Sequence, residues 1–447
     1  MGHPLFALLI LSMVIVSFGD KVKNIYTWKF PEFEWLSKEQ EEDAIRSGIY
    51  NPSNCVFHDA NEAEDGRIFI TVPNMKARAS PASLTTVTNK TGLGGPILRP
   101  YPDWNWHNSS CDGIINVYRI DIRCNHLFVM DNGKIGTDQI CNPKLLIFNL
   151  KGDRLVKNIH IPIADKMGLL VTPLVYIPNE TCMQFLDKMI VFMTDAGDSS
   201  LVVYNSFTNS MCRVESDYMK PTDTSISIAG ENFTYVGGIY SITVLNDDLY
   251  FHPISGKEIY KIKIKNLLKC PNKEKANEQI QLIKKLSSQT AVLTSAGQSI
   301  FYSDSRAMSI LRMKKSDKIY ETEILAQDSE KFQDLCLAKF LDISAKWFVS
   351  CFRFLMALLI SYTHMYDLYM YHASLTGVSN RFQRFTTGTL KLDEINGRYF
   401  EMDLTEILKK MNSTPSEIIK FNVSTFKGEF VSRQSRIYNI ITYKLPP

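Results

Sequence analysis

Apolar and polar residues alternate with a period of two along most of this chain, from Ile68 to Met313. That period is typical of β-strands with one buried face, so the chain is predicted to consist mainly of strands. Helical spacing is confined to SKEQEEDAIRSG near the start and LTEILKKMN near the end. We expect both stretches to be short helices on the surface.

Four segments of the alternating region share one layout: a short apolar strand, a polar turn, a second apolar strand and another turn. The unit recurs roughly every 50 to 65 residues, which suits the four strands of a β-propeller blade. Because one such sheet cannot bury both of its faces, the units are expected to stack around an axis. At this period, residues 21–444 would hold six or seven blades, and a β-sandwich followed by an unrelated domain is the alternative. The units open at Leu127, Ile190, Leu249 and Ile300.

Residues 331–375 break the pattern, since no glycine or proline occurs between Gly297 and Gly377. The apolar centre of the segment, Trp347 to Tyr362, is short for a membrane-spanning helix and contains Arg353. We expect a buried or ill-fitting element inside a single propeller domain at residues 20–447. A membrane helix and a stretch foreign to the natural protein, such as an unspliced exon, are the alternatives.

The first residues have the layout of a secretory signal. The apolar run PLFALLILSMVIVSFG contains the small residues Ser17 and Gly19 and precedes the charged DKVK. We therefore predict a signal peptide at residues 1–19 and a secreted, extracellular protein without stable membrane insertion; a retained anchor is the alternative. Six Asn-X-Ser/Thr sequons agree with export and predict glycosylation at Asn89, Asn108, Asn179, Asn232, Asn412 and Asn422.

Charge and cysteine content narrow the function classes. A net charge of +3 without a long basic stripe argues against nucleic-acid binding. Nine cysteines in an exported chain predict disulfides, and the odd number leaves at least one thiol unpaired or bonded to another chain. The sequence contains no zinc-ligand spacing, nucleophile elbow or phosphate-binding loop, so we predict no metal, no cofactor and no catalytic residue.

The stretch GGPILRPYPDWNWHNSSCDGI combines prolines, tryptophans and a cysteine. Proline cannot donate to a strand ladder, so RPYPDW is predicted to be an extended connection. Trp104 and Trp106 are expected to fill gaps between blades and not to stack on a ligand. With Cys111 as an anchor, we interpret the stretch as a structural clasp.

The sequence TNKTGLGGPILRPYPDWNWHNSSCDGIINVYRIDI, followed by HLFVMDNG and QICNPKLLIFNL, resembles the major royal jelly protein/Yellow family of insects. IYTWKFPEFEW, IAGENFTYVGGIYSITV and VSNRFQRFTTGTLKLDEINGRYF extend the resemblance and favour a royal-jelly-like member. It covers most of residues 24–325 and 377–400 and fails across 331–375, where a regular blade strand is expected before VSNRF. The family implies an all-β, six-bladed β-propeller with a central cavity and few short peripheral helices.

The same resemblance implies two disulfides, Cys111–Cys141 and Cys124–Cys182. It assigns no partner to the remaining cysteines, which are Cys55, Cys212, Cys270, Cys336 and Cys351.

Polar residues end strands at corresponding positions of the repeats and are candidates to line one mouth of the cavity: Asp131, Asp195, Asp304 and Asn380. Their oxygens would hold an amine, and the ring of Tyr240 or Phe382 would add cation–π attraction. By resemblance, Asn380 and Phe382 match the Asn and Phe of an SN-x-F motif that contacts ligand in amine-binding relatives. The alternative is that the polar residues cap turns.

Residues and resemblance together predict a non-enzymatic secreted glycoprotein. It would bind a biogenic amine or a lipid-like molecule in its cavity, or serve as an abundant, nutritive extracellular protein. Association with itself or with another secreted chain is a further expectation. The alternative is a Yellow-type enzyme that acts on dopachrome or related catechol derivatives in pigmentation.

Overall fold

The computed structural model describes residues 22–162, 168–178, 182–316, 319–340, 374–404 and 407. Strands dominate these residues, and the helices are short. The predicted N-terminal helix is present, begins after the cap Ser37 and exposes most of its surface. Most of LTEILKKMN lies outside the described residues. The helices are α1 (Lys38–Arg46), α2 (Ile264–Leu267), α3 (Lys273–Gln279) and α4 (Phe382–Thr387).

Six antiparallel sheets of four strands form six blades. The first strand of the chain, β1 (Val22–Trp28), belongs to the last blade. Blade 1 contains β2 (Asp59–Glu62), β3 (Ile68–Thr71), β4 (Leu84–Thr91) and β5 (Pro96–Pro100). Blade 2 contains β6 (Val117–Arg123) and β7 (His126–Asp131), then a small hairpin of β8 (Lys134–Ile135) and β9 (Asp138–Gln139), then β10 (Lys144–Asn149) and β11 (Arg154–His160). Blade 3 contains β12 (Leu170–Tyr176), β13 (Ile190–Asp195), β14 (Ser200–Asn205) and β15 (Ser210–Glu215).

A separate hairpin follows blade 3 and is made of β16 (Ser225–Ile228) and β17 (Glu231–Thr234). We call it the mouth hairpin. Blade 4 contains β18 (Ile239–Leu245), β19 (Asp248–Pro253), β20 (Glu258–Lys263) and β21 (Gln281–Lys285). Blade 5 contains β22 (Leu293–Ala296), β23 (Ser299–Asp304), β24 (Ser309–Ser316) and β25 (Ile319–Gln327). Blade 6 contains β26 (Asp334–Phe340), β27 (Ser374–Asn380) and β28 (Gly397–Asp403), with β1 as its outermost strand.

The first strands of the six blades form a closed ring around one axis. Each contacts the first strand of the next blade, in the order β2, β6, β12, β18, β22 and β26, and β26 contacts β2. The prediction of an all-β, six-bladed propeller is therefore confirmed, and the β-sandwich alternative is wrong. The residues that open the four sequence repeats are buried and lie on the second strand of their blades, not on the innermost one.

Packing between neighbouring blades supplies the core. Between blades 3 and 4, for example, Phe192 and Leu201 are buried with Ile242 and Phe251 in one apolar cluster. Because successive side chains of a strand point to opposite faces, each blade presents one apolar face to each neighbour. Burial on both faces explains why the second and third strands contain such long apolar runs.

Blade 6 joins the two ends of the chain. β1 pairs antiparallel with β28, from Val22 opposite Met402 to Trp28 opposite Gly397. The other two strands of the blade, β26 and β27, pair with each other in the usual antiparallel way, although they lie at the two ends of the atypical segment 331–375. The remainder of that segment, including Trp347 to Tyr362, lies outside the described residues. Within the described ranges, no helix is both long enough and apolar enough to cross a membrane.

The proline- and tryptophan-rich stretch connects blade 1 to blade 2. The Trp104 ring stacks on Trp35 at 5.0 Å, and its Nε1 donates to the Glu34 carbonyl at 3.0 Å. The Trp106 ring packs edge-on against Phe148 of β10, also at 5.0 Å. The two tryptophans thus hold the segment before blade 1 and the body of blade 2 together, as a clasp would.

The described residues contain three disulfides: Cys111–Cys141, Cys124–Cys182 and Cys212–Cys270. The first two are the pairs that the resemblance implied, and the third was not anticipated. It joins β15 of blade 3 to the turn that follows α2 in blade 4. Cys55 is a buried free thiol, whereas Cys351 and the side chain of Cys336 lie outside the described part of the chain.

Three of the sequon asparagines, Asn89, Asn108 and Asn232, are exposed. Exposure is what a glycosylated side chain requires, so these three remain predicted sites. Asn179, Asn412 and Asn422 lie outside the described residues.

Candidate functional site

A pocket opens at one mouth of the ring, where the innermost strands begin. Residues at or near the start of four of these strands line it, namely His58, Tyr240, Ala291 and Asp334. The mouth hairpin covers one side with Ile226, Ile228 and Phe233, and α4 contributes Phe382. Its volume is about 40 Å³, and its walls are mainly apolar and aromatic, as is usual for small-molecule sites.

Arg119 of β6 lies behind two of the lining residues, Tyr240 and Ala291, and is only 1% exposed. Its guanidinium donates to the Ser241 hydroxyl at 3.0 Å and to the Ala291 carbonyl at 2.8 Å. It also lies 4.6 Å from the centre of the Tyr240 ring, in a cation–π contact. One side chain of blade 2 thus bridges to blade 4 and to the segment before blade 5, across the ring.

His58 lines the pocket beside Tyr240. The Tyr240 hydroxyl and His58 Nε2 are hydrogen-bonded at 2.6 Å. Burial, aided by the positive charge of Arg119, lowers the pKa of His58 well below its ordinary value. The imidazole is therefore neutral at physiological pH. The positive charge beside Tyr240 and His58 is that of Arg119.

The rim is aromatic. Phe382, the first residue of α4, meets Phe233 edge-on at 6.1 Å and Tyr235 edge-on at 5.9 Å. The base of the mouth hairpin is fixed by Gln289, whose Nε2 donates to the carbonyls of Asp223 and Ser225 at 3.2 and 3.0 Å. The hairpin thus has an anchored base and a second contact, through Phe233, on α4.

Of the six candidate ligand residues, Tyr240 and Phe382 line the pocket formed by the described residues. Asp131, Asp195, Asp304 and Asn380 do not. They end the second strands β7, β13, β23 and β27, one strand farther from the axis than the pocket lining. Antiparallel pairing still places them at the same mouth of the ring, since Val117 lies opposite Asp131 and Asp334 opposite Asn380.

In that position each of the four ties the end of its strand to a neighbouring segment. Asp131 accepts from the N–H groups of Ile115 and Asn116, just before β6, at 3.0 and 2.9 Å. Asp195 likewise accepts from Leu169 N, just before β12, at 2.7 Å.

The same arrangement recurs in the last two blades. Asp304 accepts from the Ser288 hydroxyl at 2.7 Å, shortly before β22. Asn380 Nδ2 donates to the Phe57 carbonyl, before β2, at 2.6 Å. The three aspartates also cap turns, because each accepts from an N–H two or three residues later, that of Gly133, Asp198 or Ala307. Turn capping is the alternative interpretation of these residues.

Arg119 and His58 were not singled out in the sequence. No local signal marks Arg119, because alternation in the strand VYRIDI groups it with Asp121 on the polar face, opposite Ile120 and Ile122. His58 precedes a short strand with little apolar character, DANE, and no local pattern marks it. Among the described residues, no cluster of His, Cys, Asp and Glu could hold a metal ion.

Acidification is expected to destabilise the propeller between about pH 6.5 and pH 4. His252 of β19 is fully buried, and burial lowers its pKa to about 4. A histidine that stays neutral in the folded state but takes up a proton when unfolded favours unfolding as the pH falls below its unfolded pKa. The expected loss from this residue is about 3 kcal/mol by pH 4.

Urea unfolding at several pH values measures this loss. His252→Gln should flatten the decline, whereas His160→Gln, at an exposed position on β11, should leave it unchanged. Equal slopes for wild type and His252→Gln would contradict the prediction.

A family model described as "Major royal jelly protein" matches residues 115–412, well over half of the chain. The chain belongs to the major royal jelly protein family. Among its royal jelly relatives from Apis mellifera, major royal jelly protein 8 is 34% identical over 263 residues, covering 56% of this chain and 62% of that protein. Major royal jelly protein 3 is also 34% identical, over 54% of this chain and 45% of its own length. Both matches span less than two thirds of the relative.

A longer match is found with major royal jelly protein 1, which is 26% identical over 408 residues and covers 88% of this chain and 89% of the relative. The family membership that the sequence motifs suggested is thereby confirmed. The three disulfides, moreover, are typical of proteins that fold in an oxidising compartment.

Proposed function

We propose that this royal jelly family member is a secreted, glycosylated binding protein that holds a small aromatic or lipid-like ligand, such as a biogenic amine, without transforming it. The observation that carries the proposal is the pocket at the mouth of the ring, which has mainly apolar and aromatic walls and Arg119 packed behind Tyr240. Such walls suit a ligand with an apolar body, and because the pocket is only about 40 Å³, the mouth hairpin would have to move outward to admit it.

Charge sets the orientation of an amine in this pocket. The Arg119 guanidinium lies against the Tyr240 ring and repels a second cation from that side of the pocket. The ammonium group is therefore expected beside the Asp334 carboxylate and the Phe382 ring, both of which line the pocket. The apolar body of the ligand would lie against Ile226 and Ile228 of the mouth hairpin.

The relatives compared above are royal jelly proteins, which favours this role over the pigmentation enzyme. An abundant or nutritive extracellular role is compatible with the same fold. It is what would remain if the pocket bound nothing.

Truncation of the aromatic rim should weaken binding. In calorimetric titrations with serotonin, dopamine and octopamine, Phe382→Ala is expected to reduce the affinity for a bound amine about tenfold, because it removes a ring from the cation–π contact and from the wall. Phe207→Ala is the matched control, since Phe207 is 78% exposed and does not line the pocket. Equal affinities of Phe382→Ala and wild type would place the ligand elsewhere. Silence with all three amines and with a fatty acid or sterol would overturn the binding role.

A further inference from the structure

The mouth hairpin has two different faces. Pairing places Ile226 opposite Phe233, and these residues face the pocket. The alternate pairs place Ser227 opposite Asn232 and Ser225 opposite Thr234 on the other face. Asn232 and Thr234 are exposed there and form the sequon Asn232-Phe233-Thr234. The residues that line the pocket and the asparagine of the sequon thus lie on opposite faces of the mouth hairpin.

Asn232 also lines a second concavity. A polar groove of about 490 Å³ lies between the mouth hairpin and the end of α4, within the usual range for small-molecule sites. Its lining consists of Glu231, Asn232, Arg384, Thr387, Thr389 and Lys391.

The groove chemistry suits sugar hydroxyls. Arg384 and Lys391 both form ion pairs with Glu394, at 2.6 and 3.3 Å, which bring the two cationic groups together at the groove. The hydroxyls of Thr387 and Thr389 lie 2.9 Å apart and present both donors and acceptors. Neighbouring hydroxyl and cationic groups of this kind can form several hydrogen bonds with one polyol.

We propose that an N-linked glycan on Asn232 lies in this groove, braces the mouth hairpin against α4 and so slows the exchange of ligand in the pocket. The part that concerns ligand exchange rests on the proposed binding function. In the modification, Asn232 Nδ2 forms a bond to the anomeric carbon of a polyprenyl-diphosphate oligosaccharide. The bond from that carbon to the diphosphate breaks, the amide loses one proton, and the polyprenyl diphosphate leaves. No oxidant or reductant is needed.

The mechanics of the hairpin give the brace its effect. The base is held by Gln289 and by the ion pair of Lys257 with Asp223 at 2.6 Å. The far end turns through Ala229 and Gly230, both with positive φ, and reaches α4 through the ring contact of Phe233 with Phe382. A glycan in the groove adds polar contacts beside that ring contact, on the side opposite the pocket. Opening of the hairpin would then require those contacts to break as well.

The test uses the full chain secreted from insect cells. Mass spectrometry of the peptide that contains Asn232 measures occupancy, and hydrogen exchange of residues 225–234 measures hairpin opening. Asn232→Gln and Thr234→Ala both abolish the sequon and should speed this exchange about tenfold. Asn89→Gln removes an exposed sequon on β4 of blade 1 and should leave hairpin exchange unchanged. Thr389→Ala/Lys391→Ala retains the glycan but removes groove contacts, and it should speed the exchange in part.

An unmodified Asn232 in the secreted protein, or unchanged hairpin exchange in both sequon variants, would overturn the proposal. In a second arm, the release rate of bound serotonin should rise in the same variants. If hairpin exchange responds but no ligand binds to any form, the binding function fails while the glycan brace stands. If a ligand binds and its release is insensitive to both sequon variants, the brace does not control exchange.

Discussion

Asp131→Ala is expected to lower the free energy of unfolding by about 3–5 kcal/mol, the effect of removing one partner from a buried ion pair. Lys144 lies 3.6 Å from Asp131, and their side chains are 1% and 0% exposed, respectively. Burial raises the pKa of Asp131, against the opposing effects of backbone N–H donors and Lys144. Without the carboxylate, a buried ammonium group and the N–H of Ile115, Asn116 and Gly133 would lose their acceptor.

Denaturant unfolding of three variants tests this expectation. Asp131→Asn retains an oxygen acceptor but loses the charge, so its loss should be smaller than that of the alanine variant. Asp187→Ala is the control, because Asp187 is 78% exposed in its pair with Lys157 and should contribute less than about 1 kcal/mol. A loss for Asp131→Ala no larger than that of the control would show that the pair does not stabilise the ring.

Removal of the Cys212–Cys270 disulfide is expected to lower stability by about 4 kcal/mol. The bond closes a loop with a sequence separation of 58 residues, and the loop-entropy estimate for that length gives this magnitude. It also joins the outermost strand of blade 3 to the connection between the third and fourth strands of blade 4. The double variant Cys212→Ala/Cys270→Ala avoids a reactive single thiol, and unfolding under non-reducing conditions measures the loss.

Cys55→Ala is the matched control for cysteine removal. Its thiol is buried and donates to the Ala79 carbonyl at 3.1 Å, so the expected loss is about 1 kcal/mol. If the double variant lost no more than Cys55→Ala, the disulfide would contribute little beyond local packing.

The fold could be predicted because its strongest signal is repeated. The second strand of each blade is buried on both faces, and apolar runs such as LFVM and IVFM make it conspicuous. The innermost strands are weaker signals, since β2 is DANE and β22 is LTSA. This difference explains why the repeated aspartates, which end the conspicuous second strands, are easier to align in the sequence than the pocket residues near the innermost strands.

Most of the pocket could not be predicted, for a geometric reason. His58 and Tyr240 share a hydrogen bond although 182 residues separate them. Only closure of the ring brings them together, and no local pattern encodes such a pair. Tyr240 and Phe382 were identified through motifs, whereas the mouth hairpin was not anticipated, because its alternation looks the same as that of a blade strand.

The pairing of β1 with β28 has a consequence for biosynthesis. Residues 22–28 are made before blade 1, yet their strand partner, residues 397–403, is made only after blade 5. Blades 1 to 5 can therefore assemble on the growing chain, while the ring stays open until residue 403 has been made. Until then, the apolar faces of blades 1 and 5 lack blade 6, their final neighbour. A polypeptide that ended before residue 397 would leave these faces exposed to chaperones and to aggregation.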